Sequence, residues 1–384
     1  MKKLAIITTH PIQYNAPWFA ILNKRGKIQI KVFYTWGENV LEDKFDPGFG
    51  KNIEWDIPLL SGYDHSFVRN ISTDPGSHHF NGIDNPELNN EIEKWGADAV
   101  LIFGWSFKSH LKAMRHFKGR IPVLFRGDST LLDQFGFLKH TLRTLFLKWV
   151  YRYIDIALYV GKANREYFLK HSVKSCQLVF APHAIDNDRF YVTDDYLIKA
   201  QELRKEMNIS PGALVFLFAA KFELKKDPVR LLKAFKNIRH PDVHLVMVGN
   251  GPLESELRNK KDNDPRIHFL PFQNQSVMPS IYQVGDVFVL PSLGPETWGL
   301  AINEAMAGGK AILASDTCGC GPDLVKDKIN GFIFRSGVLE DLTQKLQLCA
   351  DLGEELHKLG KNSIEILKDY NFTKICEAIE SIEF

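Results

Sequence analysis

Four charged residues in the second half of the chain have the types and spacings to manage a phosphorylated ligand. Lys221 and Lys226 lie in Ala-Ala-Lys221-Phe-Glu-Leu-Lys-Lys226-Asp-Pro, directly after the apolar run 214–220. Two cations at the carboxyl end of a strand, beside a helix start, suit a diphosphate carrying about two negative charges. Glu296 and Glu304 lie in Pro291-Ser-Leu-Gly-Pro-Glu296-Thr-Trp-Gly-Leu-Ala-Ile-Asn-Glu304. A strand ends at Pro291, a Gly/Pro turn follows, and a helix begins near Gly299-Leu300. Backbone N–H groups at that helix start favour phosphate oxygens. Glu304, just inside the helix, suits the hydroxyls of a ribose. The plainer alternatives are a capping acid, a solvated helix glutamate and a solvated basic loop. Lys225 takes the last of these.

Such groups need elements to hold them. Apolar, β-branched runs at 4–9, 28–35, 99–104, 122–127 and 156–161 read as strands, and a second series follows at 214–220, 244–249, 267–271, 286–291 and 311–315. Their apolar character is continuous rather than alternating, which predicts parallel sheets covered on both faces. Helical patterns at 228–238 and 300–307 lie between strands. A polar zone at 186–212 separates the two series. The expected fold class is therefore α/β, two doubly wound domains in tandem, 1–185 and 186–368. Doubly wound sheets bind ligands beyond the carboxyl ends of their strands, and two such sheets facing each other make a cleft.

Together these residues resemble the retaining glycosyltransferases of family 4, within the group 1 glycosyltransferases. Glu296 and Glu304 match the family's Glu-x7-Glu motif in a Pro-Glu-x-x-Gly-Leu-x-x-x-Glu-Ala-Met-Ala context, and Lys221 and Lys226 match its paired cations. Val248-Gly249-Asn-Gly-Pro is similar to its Gly-x-Gly-Pro turn. Gly331-Phe-Ile-Phe is similar to its Asn-Gly-Phe strand, and Ala181-Pro-His-Ala-Ile-Asp to the segment leaving its first domain. The resemblance spans about 155–345. It implies a GT-B fold, two facing Rossmann-like domains with a cleft between them, and a segment 369–384 that crosses back to the first. It also implies transfer of a sugar from a UDP- or GDP-sugar to a sugar or lipid-linked acceptor, with retention, in cell-surface polysaccharide or glycolipid biosynthesis. Lys221 and Lys226 would stabilise the leaving diphosphate and Glu296 would contact the donor sugar. Glu304 would hold the ribose, and the amides around Trp298, Gly299 and Leu300 the phosphates. The base would lie near Phe272, Gln273 and Asn274. No cofactor and no metal is expected, the lysines standing in for a cation.

The first half departs from that pattern. Thr8-Thr-His10-Pro-Ile-Gln13-Tyr14-Asn-Ala-Pro-Trp18 lacks the glycines with which the family cradles phosphate after its first strand. His10, Gln13 and Tyr14 are acceptor-side candidates instead, against the alternative of a polar turn before a helix. Arg126 and Asp128, in the region of a later strand end, are acceptor-side candidates as well, and Trp105, after the preceding strand, could line the same wall. Trp105 reads equally as packing.

Other signals are set aside. Lysine plus arginine total 48 and acidic residues 46, a net charge of +2, which excludes a strongly basic nucleic-acid binder. Five cysteines without C-x-x-C spacing argue against a disulfide scaffold and structural zinc. Asp186-Asn-Asp188 and Asp262-Asn-Asp264 read as turns. His78-His79 has no third metal ligand at a useful spacing. With no signal peptide and no long apolar span, the expected location is cytoplasmic, with the inner face of the membrane as a peripheral variant. That variant rests on helix 137–153. Its residues Leu138, Leu142, Leu145, Phe146, Trp149, Val150 and Tyr153 recur at helical spacing beside Lys139, His140, Arg143, Lys148 and Arg152. A core-packed helix with a solvated face and a lipid-binding helix both fit. Two further functions compete: a nucleotide-sugar epimerase or phosphorylase, and a catalytically silent nucleotide-binding subunit.

Overall fold

The computed structural model describes residues 1–38, 45–46, 51–52, 54–132 and 137–384. Its strands are β1 (Lys2–Thr8), β2 (Ile28–Tyr34), a small hairpin β3 (Phe45–Asp46) and β4 (Lys51–Asn52), β5 (Asp64–Phe67), β6 (Ala99–Phe103), β7 (Val123–Arg126), β8 (Ile156–Tyr159) and β9 (Leu178–Phe180). A second set runs β10 (Leu214–Ala219), β11 (Val243–Val248), β12 (Ile267–Leu270), β13 (Val287–Leu290), β14 (Ala311–Ser315) and β15 (Gly331–Phe334). The first sheet has the order β5-β2-β1-β6-β7-β8-β9 and the second β12-β11-β10-β13-β14-β15. Every pairing within these two sheets is parallel. The fold is α/β, with the run of strands reversing direction once in each sheet, between β1 and β6 and between β10 and β13. Those reversals are the switch points, where the crossovers leave to opposite faces and a crevice opens beyond the carboxyl ends.

The reason the strands form is visible in their burial. Leu4, Ala5, Ile6 and Ile7 are wholly buried, as are Val215, Phe216, Leu217 and Phe218. Side chains alternate sides along a strand, so burial of consecutive residues needs cover on both faces. Helices supply it. In the first sheet these are α1 (Ala16–Arg25), α2 (Leu88–Trp95), α3 (Lys108–Phe117), α4 (Phe137–Tyr151) and α5 (Lys162–Lys170). The second has α6 (Asn187–Phe190), α7 (Asp194–Glu206), α8 (Pro228–Lys236), α9 (Glu254–Lys261), α10 (Met278–Val284), α11 (Leu300–Ala307), α12 (Gly321–Leu324), α13 (Leu339–Asp351) and α14 (Glu355–Leu367). Helix α15 (Phe372–Glu380) follows them. Asp186 caps α6 by accepting from the Arg189 N–H, and Asp262 ends α9 with a positive φ of 53°.

The chain divides into two compact units. The first comprises Met1–Lys44, Pro58–His183 and Phe372–Phe384, and the second Phe45–Ile57 and Ala184–Asn371. Helix α15 therefore packs with the first unit. Arg25 on α1 donates two bonds to Glu380, at 2.6 and 2.8 Å, and the Cys376 thiol points to the Trp18 carbonyl. The boundary at 185 needs amendment at 45–57, which joins the second unit. Asn274 donates to the Glu54 carbonyl at 2.6 Å, Ser276 donates to Asp56, and the Trp55 ring meets Phe272 edge-on.

Helix α4 also differs from a simple core helix. Leu147, Val150 and Tyr151 are buried against the first sheet, with Ile154 beyond the helix end. Leu142, Leu145 and Phe146, which share the apolar stripe read from the sequence, are 60%, 60% and 42% exposed. The side chain of Leu138 lies outside the described residues. Among the described residues, no helix is long and apolar enough to cross a membrane.

His110 sits wholly buried under the first sheet. One ring nitrogen lies 2.8 Å from the Phe103 carbonyl and the other 2.9 Å from the Thr35 hydroxyl. Burial lowers its pKa to about 4, against the carbonyl's opposing pull. The unfolded chain thus binds a proton near pH 6.5 that the folded chain refuses until about pH 4, and stability falls as pH drops through that window. At pH 5 this single group accounts for about 2 kcal/mol. The melting temperature is expected to fall between pH 7 and pH 5 in a thermal unfolding series, and His110→Gln should flatten that slope.

Candidate active site

The switch point of the second sheet brings Lys226 and Glu296 together. Lys226 lies in the loop after β10 and Glu296 in the loop after β13, adjacent strands with opposite crossovers. Their side chains form an ion pair, 18% and 14% exposed. Ser292 donates to the same Glu296 oxygen at 3.3 Å. The two loops are also joined by backbone, since the Leu293 N–H donates to the Lys225 carbonyl at 2.8 Å. Lys221 lies two residues past β10, with Glu223 N–H bonded to its carbonyl.

The Glu296 turn is fixed by the loop after β14. The Glu296 N–H donates to the Thr317 carbonyl and its own carbonyl accepts from Gly319. Gly319 is required there, because a Cβ would lie 2.0 Å from the Thr297 carbonyl oxygen. The Ser292 carbonyl is approached by three hydroxyls, those of Ser315, Thr317 and Ser336, at 2.8, 2.7 and 3.0 Å. Cys318 and Cys320 are buried here. Burial pushes the Cys318 thiol up to about 11, so it is no nucleophile at neutral pH.

Gly299 caps α11 in the left-handed region, φ 101°, and no side chain caps that helix end. The Trp298 indole donates to Asn303 at 2.8 Å and its ring packs against Tyr370, which donates to Asp323. Trp298 is thereby a lock for the turn. Glu304, one turn into α11, is 3% exposed and accepts from the Tyr282 hydroxyl at 2.7 Å. Gly249 lets its loop lie on β10's exit, since a Cβ there would be 2.2 Å from the Ala220 carbonyl. Asn250 accepts from the Phe272 N–H at 2.9 Å. Asn274 starts α10, its carbonyl accepting from Val277 and Met278, and Gln273 bonds only locally to the Pro271 carbonyl.

The first-unit candidates flank the other switch point and its neighbours. His10, Gln13 and Tyr14 follow β1, Trp105 follows β6, and Asp128 follows β7. Burial lowers the His10 pKa to about 4, and one ring nitrogen lies 2.9 Å from the Thr9 hydroxyl. His10 is thus neutral at physiological pH. Trp105 packs edge-on against Phe146, the packing alternative of its two readings. Arg126 is corrected from an open ligand contact to a clamp. It is 4% exposed and donates to the carbonyls of Ala181 and Pro182 at 2.8 and 2.9 Å. Asp128 lies 3.8 Å from His183, whose pKa burial lowers.

Tyr282, Ser292, Thr317, Asn303 and His183 were not read as site residues. Tyr282, Thr317 and His183 have partners distant in sequence, whereas Ser292 and Asn303 lie within five residues of theirs and no residue type singles them out.

Residues 199–366 match the family model for glycosyl transferases, group 1. Among curated proteins, the chain is 24% identical over 243 residues to the sulfoquinovosyl transferase SQD2 of Arabidopsis thaliana, covering 62% of this chain and 46% of that protein. It is 25% identical over 287 residues to the UDP-Gal:alpha-D-GlcNAc-diphosphoundecaprenol alpha-1,3-galactosyltransferase of Escherichia coli, covering 69% and 71%. The chain spans about half the length of the first curated relatives it matches. Among solved structures it superposes on Anabaena HepE, in complex with UDP and glucose, with a TM-score of 0.71 at 15% identity, covering 99% of this chain and 98% of that one. That likeness shows the fold, which is GT-B.

Tyr282→Phe removes the hydroxyl that solvates a buried carboxylate. A hydrogen bond to a charged group contributes about 1.5–3 kcal/mol, so the variant should lose that much stability in urea denaturation.

Proposed function

We propose that the chain is a retaining glycosyltransferase. It moves a sugar from a UDP- or GDP-sugar to a sugar or lipid-linked acceptor in the assembly of cell-surface polysaccharide or glycolipid. The observation that carries this reading is the Lys226–Glu296 pair at a switch point, with Glu304 buried on the helix that follows. The match of 199–366 and the printed activity of the E. coli relative support it.

In this reading Lys226 and Lys221 face the leaving diphosphate and do the work of a metal cation, so no cofactor is needed. A diphosphate entering the crevice competes with Glu296 for the Lys226 ammonium. Glu296, still held by Ser292, then turns its carboxylate to hydroxyls of the donor sugar. Glu304, fixed by Tyr282, accepts from the ribose. The Trp298–Gly299–Leu300 backbone takes phosphate oxygens, and Phe272, Gln273 and Asn274 border the base. Retention follows when the leaving phosphate takes the acceptor proton on the face it departs from. His10, neutral, serves as a hydrogen-bonding group for acceptor hydroxyls rather than as a cation, with Gln13, Tyr14 and Asp128 beside it on the strand ends of the first sheet.

Lys226→Ala should lower kcat by about 10²–10³-fold, as loss of one charge-stabilising group does, with a smaller change in KM. Glu304→Ala should chiefly raise the donor KM. Steady-state transfer assays with a nucleotide-sugar panel decide this, and wild-type rates in both variants would remove the assignment.

The exposed face of α4 supports a cytoplasmic location with peripheral contact to an anionic bilayer. Lys139, Lys148 and Arg152 are exposed beside Leu142, Leu145 and Phe146. Near an anionic surface each such cation contributes about 1 kcal/mol. Flotation with phosphatidylglycerol vesicles should carry the protein, and Leu145→Glu with Phe146→Glu should leave it at the bottom. A wild-type protein that stays down contradicts the contact.

A further inference from the structure

The loop between β5 and α2 gathers three potential metal ligands that the sequence did not bring together. Asp74, His78 and His79 each present one ligand atom, and these atoms lie within 4.8 Å of one another. His78 Nε2 lies 3.3 Å and His79 Nε2 3.1 Å from the same oxygen, Asp74 Oδ2. With metal–ligand bonds of about 2.0–2.1 Å, a tetrahedral edge is about 3.3 Å. Both nitrogens therefore stand one such edge from the carboxylate oxygen.

The loop that carries them is closed at its base. Asn70 donates to the Gly82 carbonyl at 2.8 Å and accepts from the N–H groups of Ser72 and Asp84. The Gly76 N–H donates to the Gly82 carbonyl, and a Cβ on Gly82 would lie 2.1 Å from the Gly76 carbonyl oxygen. Gly76 leaves the His78 ring its place, since a Cβ there would fall 2.5 Å from His78 Nδ1 and displace it. The His78 ring is thus seated against bare backbone. The Asp74 N–H is held by the Ser72 hydroxyl at 3.3 Å.

We propose that Asp74, His78 and His79 form a binding site for one divalent transition metal ion of the zinc class. Two imidazoles and one carboxylate are donors that zinc, cobalt and nickel accept, whereas calcium and magnesium prefer all-oxygen sets. Three protein ligands leave a fourth position for water. Each ring binds through Nε2 with its proton at Nδ1. Metal and protons compete for those nitrogens, so affinity falls on acidification. The site lies within the first unit and is independent of the switch-point residues of the second.

The test is isothermal titration of the untagged, chelator-stripped full-length protein with zinc chloride, and with cobalt chloride read by its visible absorption. One equivalent should bind, and the cobalt spectrum should be that of a tetrahedral ion. Loss of a group that merely supports a ligand costs about 10–100-fold in affinity. Asp74→Asn, and separately His78→Gln with His79→Gln, should therefore weaken binding at least that much. These side chains are at the surface, and an unchanged melting temperature in the metal-free variants confirms intact folding. His357→Gln, at an exposed histidine elsewhere, should leave binding unchanged. Absence of a saturable equivalent, or equal binding by the double-histidine variant, overturns the site and leaves His78 hydrogen-bonded to the Asp74 carboxylate and His79 to the Asp74 carbonyl.

Discussion

The ion pair between Lys226 and Glu296 is the contact on which the arrangement of the second unit turns. Both groups are largely withdrawn from water, and a pair in that setting gains little stability over an apolar one. Its value is positional. The ammonium and the carboxylate arrive from two strands that neighbour each other only because the sheet reverses its winding between them. Each is then held by its own backbone, Lys226 through the short loop knit to Leu293 and Glu296 through the loop that ends at Gly319. A pair assembled this way has its main chain fixed in advance, and only the two side chains are left to turn.

The surrounding polar groups follow the same logic. Ser292 holds Glu296, and Tyr282 holds Glu304. Three hydroxyls converge on the Ser292 carbonyl. Ser292 lies four residues from Glu296, but Lys226, Tyr282 and the hydroxyls on the Ser292 carbonyl come from elements remote in sequence, which ties the loops after β10, β13 and β14 into one network. In low dielectric such a network is costly to leave half-satisfied, so its members are constrained together.

Much of this was legible before any coordinates. The ten apolar runs gave ten of the strands, and the helix at 300–307 appears at those residues. The two-residue strands of the hairpin β3–β4 escaped notice, and so did two strands of the first sheet, for physical reasons. β5 reads Asp-His-Ser-Phe and β9 has only three residues; both are edge strands, where one neighbour suffices and polar side chains are tolerated. The excursion of 45–57 escaped because it depends on Trp55 meeting Phe272, a contact that no local pattern encodes. Residue types located Lys226, Glu296 and Glu304, but not their holders. The stripe on α4 was legible but its direction was not: a helix carrying a buried and an exposed apolar face gives one blurred periodicity. Arg126 looked available because a strand-end arginine usually is, and only the fold shows the carbonyls that occupy it.

The placement of helix α15 has a consequence for how the chain acquires its structure. Its docking on α1 means the first unit is completed by residues that a ribosome delivers only after the whole second unit has emerged. Domains ordinarily fold as units, the earlier one first. Here the earlier one must wait with the apolar flank around Trp18 uncovered while some two hundred residues fold beside it. The two units thus share a single schedule of synthesis, and the later one has to remain clear of the groove that α15 will fill.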